Sequence, residues 1–216
     1  MALEQSGQKQ WPEFCLERHI NPDSSFCVFY GSENRIGDDE QAVLWWSHLA
    51  SYINNQVYAG RFLVWPQGAG LSHGDAAAEQ VAMEILAEPL SWKEELWQGM
   101  FRRSGWLAEK LPRISKDGKR VVNSRSPCPR GCTRKHKGFR KPSCESLDCL
   151  PGCKKEHKPV LRAECPQRKT VERIILHETR RRRIEEDMVR KLHQSGHRCC
   201  GSMKYCPLRD LENADQ

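Results

Sequence analysis

The chain has 216 residues, 38% apolar and 29% charged, enough for one ordinary domain with a smaller module but not for a large core along its whole length. No apolar run reaches the roughly 20 residues that a membrane-spanning helix requires, and the N-terminus lacks the basic-then-apolar layout of a secretion signal, so a cytoplasmic protein is expected. Charge divides the sequence: residues 1–110 carry 8 Lys+Arg and 15 Asp+Glu, a net of −7, whereas residues 111–216 carry a net of +14.

In chain order, Trp11 to Tyr30 has strand-like apolar stretches broken by the turn signal Asn21-Pro22-Asp23, and Phe26 to Tyr30, which includes Cys27, reads as a short buried segment. A polar loop follows from Gly31 to Glu40. Gln41 to Val57 sets Leu44, Trp45, His48, Leu49, Tyr52 and Ile53 at helical spacing, with Asp38 or Asp39 as cap and the Trp45-Trp46 pair expected in the core. Phe62 to Trp65 stops at Pro66. A second helix is expected from near Ser72 to Leu86, ended by Pro89, with His73 as a packing residue of its capping loop.

Trp92 to Leu107 reads as a third helix with Leu96, Trp97 and Met100 inward, and the charged stretch Pro112 to Pro127 as a linker. The domains expected are therefore 1–111, the linker 112–127 and a basic module at 128–216. Within that module Val171 to Leu192 has helical period, interrupted by Arg180 to Arg183. The i,i+4 pairs Arg181 with Glu185, Arg182 with Glu186 and Arg183 with Asp187 neutralise part of its charge.

Nine of the eleven cysteines follow residue 127, and a reducing compartment makes metal ligation their first explanation. One pattern, Cys-x3-Cys-x3-His-x7-Cys, is written twice: Cys128, Cys132, His136 and Cys144, then Cys149, Cys153, His157 and Cys165, each shifted by 21 residues. Glycine precedes the second cysteine in both copies. Four protein ligands per ion fill a zinc tetrahedron and leave no place for an activated water, so two structural zinc sites are expected. Disulfide loops and ligands exchanged between the copies are the alternatives. A looser group, His193, His197, Cys199 and Cys206 with Cys200 beside them, could hold a third zinc, extend the first two sites, or be free thiols.

His19-Ile20-Asn21, a turn, and Phe26-Cys27-Val28 resemble the active-site segment of ubiquitin-conjugating enzymes, in which His-Pro-Asn is followed by a glycine turn and the catalytic cysteine. Ile20 replaces the proline, and the spacing to Cys27 is shorter. Trp45-Trp46, Arg61 to Pro66 and Leu71-Ser72-His73-Gly74 before an alanine-rich helix are similar to bacterial conjugating-enzyme-like proteins with cysteine-rich segments. The resemblance spans about residues 11–105.

The resemblance implies that Cys27 carries a ubiquitin-like protein's C-terminus as a thioester, that Asn21 stabilises the oxyanion and that His19 holds the loop. Conjugating enzymes place a helix and a four-stranded meander ahead of the histidine motif, while 18 residues precede His19 here. That is expected of a fragment, of a late start codon, or of a reduced helical remnant in which Cys27 is a buried small apolar residue. The fold class expected is α+β: a small, mainly helical domain similar to the C-terminal part of the conjugating fold, then the zinc module with its basic helix.

Two functions compete. One is a conjugation-related transferase whose zinc module recruits a ubiquitin-like modifier or another protein. The other is binding without catalysis, to a protein surface or to nucleic acid, driven by Lys135, Lys137, Arg140, Lys141, Lys154, Lys155 and Arg180 to Arg183.

Overall fold

A computed structural model describes residues 10–28, 36–66, 68–108, 110–122 and 166–214. The duplicated ligand pattern at 128–165 lies outside the described residues. The rest is mainly helical: α1 (Asp39–Phe62), α2 (Ala76–Ala87), α3 (Lys93–Arg102), α4 (Arg168–Gln194) and α5 (Pro207–Ala214), with 3₁₀ turns at Leu16–Arg18 and Glu88–Leu90. Among the described residues β pairing is confined to the isolated bridges Cys15 with Ile20, Ile20 with Phe26 and Ile114 with Val121. Among them, too, no helix is long and apolar enough to cross a membrane.

Contacts divide the chain into two units, one joining residues 1–77 with 181–216 and the other formed by 78–180. In the second unit, α2, α3 and the first turns of α4 enclose an apolar core. Met83, Leu96, Leu107, Ile174 and Ile175 in it are wholly buried. α3 begins at Lys93, one residue after the expected start at Trp92, and stops at Arg102, short of the expected Leu107, because Arg103 turns left-handed (φ 50°) ahead of Ser104-Gly105. The segment expected as a linker contains a tight hairpin in which Ser115 and Arg120 pair across a turn closed by Gly118.

In the first unit α1 is capped by Asp38, whose carboxylate accepts the Gln41 N–H at 2.7 Å. Its buried residues are Tyr52, Gln56 and Ala59, spaced one turn apart along one stripe. Leu44 and Ile53, placed on the inner face by periodicity, are 54% and 39% exposed, and Trp46 is 64% exposed. The tryptophan pair meets edge to face at 5.0 Å with Trp46 outward, so the expectation of a core pair fails for that ring. The reason is local: the segment 15–20, which packs on α1, reaches only the stripe of Tyr52, Gln56 and Ala59.

Gly99 in α3 tests how tightly the second unit is packed. A Cβ there would lie 2.5 Å from the Leu107 Cβ. Alanine would gain roughly 0.5–1 kcal/mol of helix propensity, yet overpacking costs about 1–3 kcal/mol. Gly99→Ala is therefore expected to lower the unfolding free energy by about 1 kcal/mol, read as a lower denaturant midpoint; a raised midpoint would show the contact to be slack.

Candidate functional site around Cys27

The segment from Cys15 to Cys27 doubles back twice. Cys15 and Ile20 exchange backbone hydrogen bonds around the 3₁₀ turn, closed by His19 in the left-handed region (φ 54°). A second turn runs from Asn21 to Ser25, with the Asn21 N–H donating to the Ser25 carbonyl at 2.8 Å and the Asn21 side-chain amide donating to the Ser25 hydroxyl at 2.9 Å. Asp23 accepts the Ser25 N–H at 3.0 Å. Ser24 has φ 64°, a conformation that favours glycine, in the turn where the conjugating-enzyme motif has its glycine.

α1 holds this double turn from below. The Tyr52 hydroxyl donates to the Arg18 and His19 carbonyls, 3.0 Å from each, and the Gln56 amide donates to the Arg18 carbonyl at 2.6 Å. The Arg18 guanidinium returns to Gln56, donating to its side-chain and backbone oxygens at 2.8 Å. The Cys27 N–H donates to the His19 carbonyl at 2.9 Å, so Cys27 and Tyr52 converge on one oxygen.

The three residues singled out by sequence are thus on one short segment. Cys27 is half-buried, and burial raises its thiol above the ordinary value. The His19 ring lies against Trp65 at 5.1 Å and against His73 at 4.7 Å between ring centroids. Burial, and then the neighbouring His73, lower the His19 imidazole well below its usual value. Burial, and then the Arg181 charge, lower His73 to about 4. Both rings are neutral at pH 7. Sequence places His73 in a capping loop, and nothing in its spacing indicates that the chain brings it to His19.

Ser72 and His73 are in turn held by α4: Arg181 donates to the Ser72 hydroxyl at 3.1 Å, and Glu185 pairs with Arg181 and accepts the His73 N–H. Arg181 is 4% exposed. One of the four consecutive arginines that sequence offered to phosphates is therefore an internal brace.

Of the looser cysteine and histidine group, Cys199 packs against the apolar cluster that buries Cys206. Among the described residues, no three His, Cys, Asp or Glu side chains are grouped so as to hold a metal ion. The His197 ring meets Phe14 edge to face at 5.1 Å, and Cys206 is buried in an apolar cluster with Leu16, Val189 and Leu208. Burial pushes the Cys206 thiol up to about 12. Cys199 accepts from the Gly201 N–H and the Arg209 guanidinium, both at 3.4 Å. His193 lies in the last turn of α4.

A half-buried thiol next to a shared carbonyl, in a turn fixed from a helix, can serve as an acyl acceptor. Residues 1–67 match the family model of the prokaryotic E2 domain. That span is about a third of the chain, holds the whole double turn and supports an E2-like prokaryotic protein. The matched segment includes Cys27, Asn21, His19 and the α1 residues that brace them; His73 and the cysteine-rich region lie beyond it. No curated protein and no solved structure matches the chain.

The burial of Cys27 has a measurable consequence. Its thiolate is the reactive form and is disfavoured at neutral pH, so the fraction ionised should keep rising above pH 9, the ordinary thiol value. Iodoacetamide labelling of Cys27, followed by peptide mass spectrometry, should be slower at pH 7.5 than for a free cysteine and should climb through pH 9 without a plateau. A plateau near pH 7 would show a thiol activated instead.

Proposed function

We propose that this chain acts in ubiquitin-like protein conjugation, with Cys27 as the thioester-forming thiol. The observation that carries the reading is the coincidence of the prokaryotic E2 domain match with the braced turn at Cys27. The Cys27 thiolate attacks the C-terminal carbonyl of an incoming modifier thioester; the new C–S bond forms, the old one breaks, and the donor leaves as a thiol. Asn21 uses one N–H of its amide on Ser25 and keeps the other for the tetrahedral oxygen. His19 acts through its backbone, as its carbonyl anchors the Cys27 N–H.

The cysteine-rich region complements this site in our reading. Cys128, Cys132, His136 and Cys144 hold one zinc ion, and Cys149, Cys153, His157 and Cys165 a second. Each unit is too short to bury a core, so the metal supplies its folding free energy, on the order of 10 kcal/mol per site. The folded pair then presents the basic surface that recruits the modifier, its target or another acidic protein.

Two measurements follow. Wild-type protein incubated with an activated ubiquitin-like protein should form a covalent adduct that thiols remove, Cys27→Ser should form none removable by thiols, and Asn21→Ala should slow transfer onward more than charging. A wild type that never forms the adduct defeats the catalytic reading. Separately, the purified protein should contain two zinc ions per chain, and chelation should make the 128–165 region rapidly cleavable by protease; protein purified without metal, with cleavage indifferent to chelator, defeats the zinc reading.

A further inference from the structure

We propose that Cys15 and Cys200 form a dithiol site that reduces a hydroperoxide and closes into an intrachain disulfide, tying the segment around Cys200 to the turn that carries His19, Asn21 and Cys27. The two sulfurs come from positions 185 apart and lie 2.6 Å from each other. Both thiols are free. The Ser202 hydroxyl bridges them, 3.0 Å from the Cys200 sulfur and 3.9 Å from that of Cys15. The side chains around them are already packed together, since Cys15 and Met203 share one buried cluster with Ile20 and Ala59, against which Cys200 packs. Joining the sulfurs brings them nearer by about 0.5 Å, to the roughly 2.05 Å of a disulfide.

The two thiols differ in access, and this assigns their order. Cys15 is 1% exposed, whereas Cys200 is half-buried. Cys200 meets the peroxide first: its sulfur attacks one oxygen, the O–O bond breaks, the alcohol leaves with the thiol proton, and Cys200 becomes a sulfenic acid. Cys15 then attacks that sulfur, and the sulfenic oxygen leaves as water with the Cys15 proton. Two thiols lose two electrons, which the hydroperoxide takes up in becoming alcohol and water. In a reducing compartment the bond is transient, as such disulfides are there.

The reaction needs no modifier, so it stands or falls apart from the conjugation reading. Full-length protein is exposed to tert-butyl hydroperoxide, alkylated, and mapped without reduction. The expected product has lost two hydrogen masses and contains a peptide linking Cys15 to Cys200. Cys200→Ser should leave Cys15 fully alkylated after the same exposure, and Cys15→Ala should leave Cys200 as a sulfenic acid captured by dimedone. The wild-type map decides the matter even if the buried Cys15→Ala does not fold. Cross-links from Cys200 to Cys199 or Cys206, or Cys15 and Cys200 both still alkylated once other cysteines are oxidised, overturn the proposal. So does protection of the pair by bound zinc that chelation releases.

Discussion

The first unit depends on the interlocked bonds between Arg18 and the Tyr52-Gln56 stripe of α1. A buried guanidinium is costly unless its donors are satisfied, and here its partners are the two oxygens of Gln56. Gln56 in return donates to the Arg18 carbonyl, and Tyr52 covers that carbonyl and the next. Each bond contributes about 0.5–1.5 kcal/mol net, but losing one partner strands a buried polar group at a cost of about 1–3 kcal/mol. That asymmetry makes the clasp all-or-none. It fixes the one segment on which His19, Asn21 and Cys27 lie.

The clasp also explains why α1 keeps so much apolar surface outside. The double turn is short and tightly wound, so it covers only one stripe of a 24-residue helix. Leu44 and Ile53 stay exposed, although their spacing with Tyr52 is that of an ordinary amphipathic helix. The remaining cover of the double turn comes from far along the chain: Met203 enters the cluster of Cys15, Ile20 and Ala59, and Leu208 the cluster of Leu16 and Val189.

α4 serves both units through different residues. Its first turns place Val171, Ile174 and Ile175 in the core of the second unit, while Val189 belongs to the first. The arginine run in its middle is not uniform. Arg181 is an internal brace, held by Glu185 in the i,i+4 pair that sequence indicated, whereas Arg183 is exposed and reaches Asp187 only at 4.0 Å. Identical side chains thus take opposite roles because helical rotation turns one inward and its neighbour outward.

Much was legible in the sequence. Helical period located α1 to α4, since a repeat of 3.6 residues persists whatever the tertiary partner, and the local motif at 19–27 located the turn that the prokaryotic E2 match contains. α5 is not legible in this way, because eight residues starting at Pro207 give too few turns for a period to register. Tertiary structure alone decided which turn of α1 is buried, that His73 sits against His19, and that Cys15 meets Cys200. Local patterns are written in neighbouring residues, whereas a contact between positions 185 apart depends on how every intervening segment folds, and no spacing rule records it.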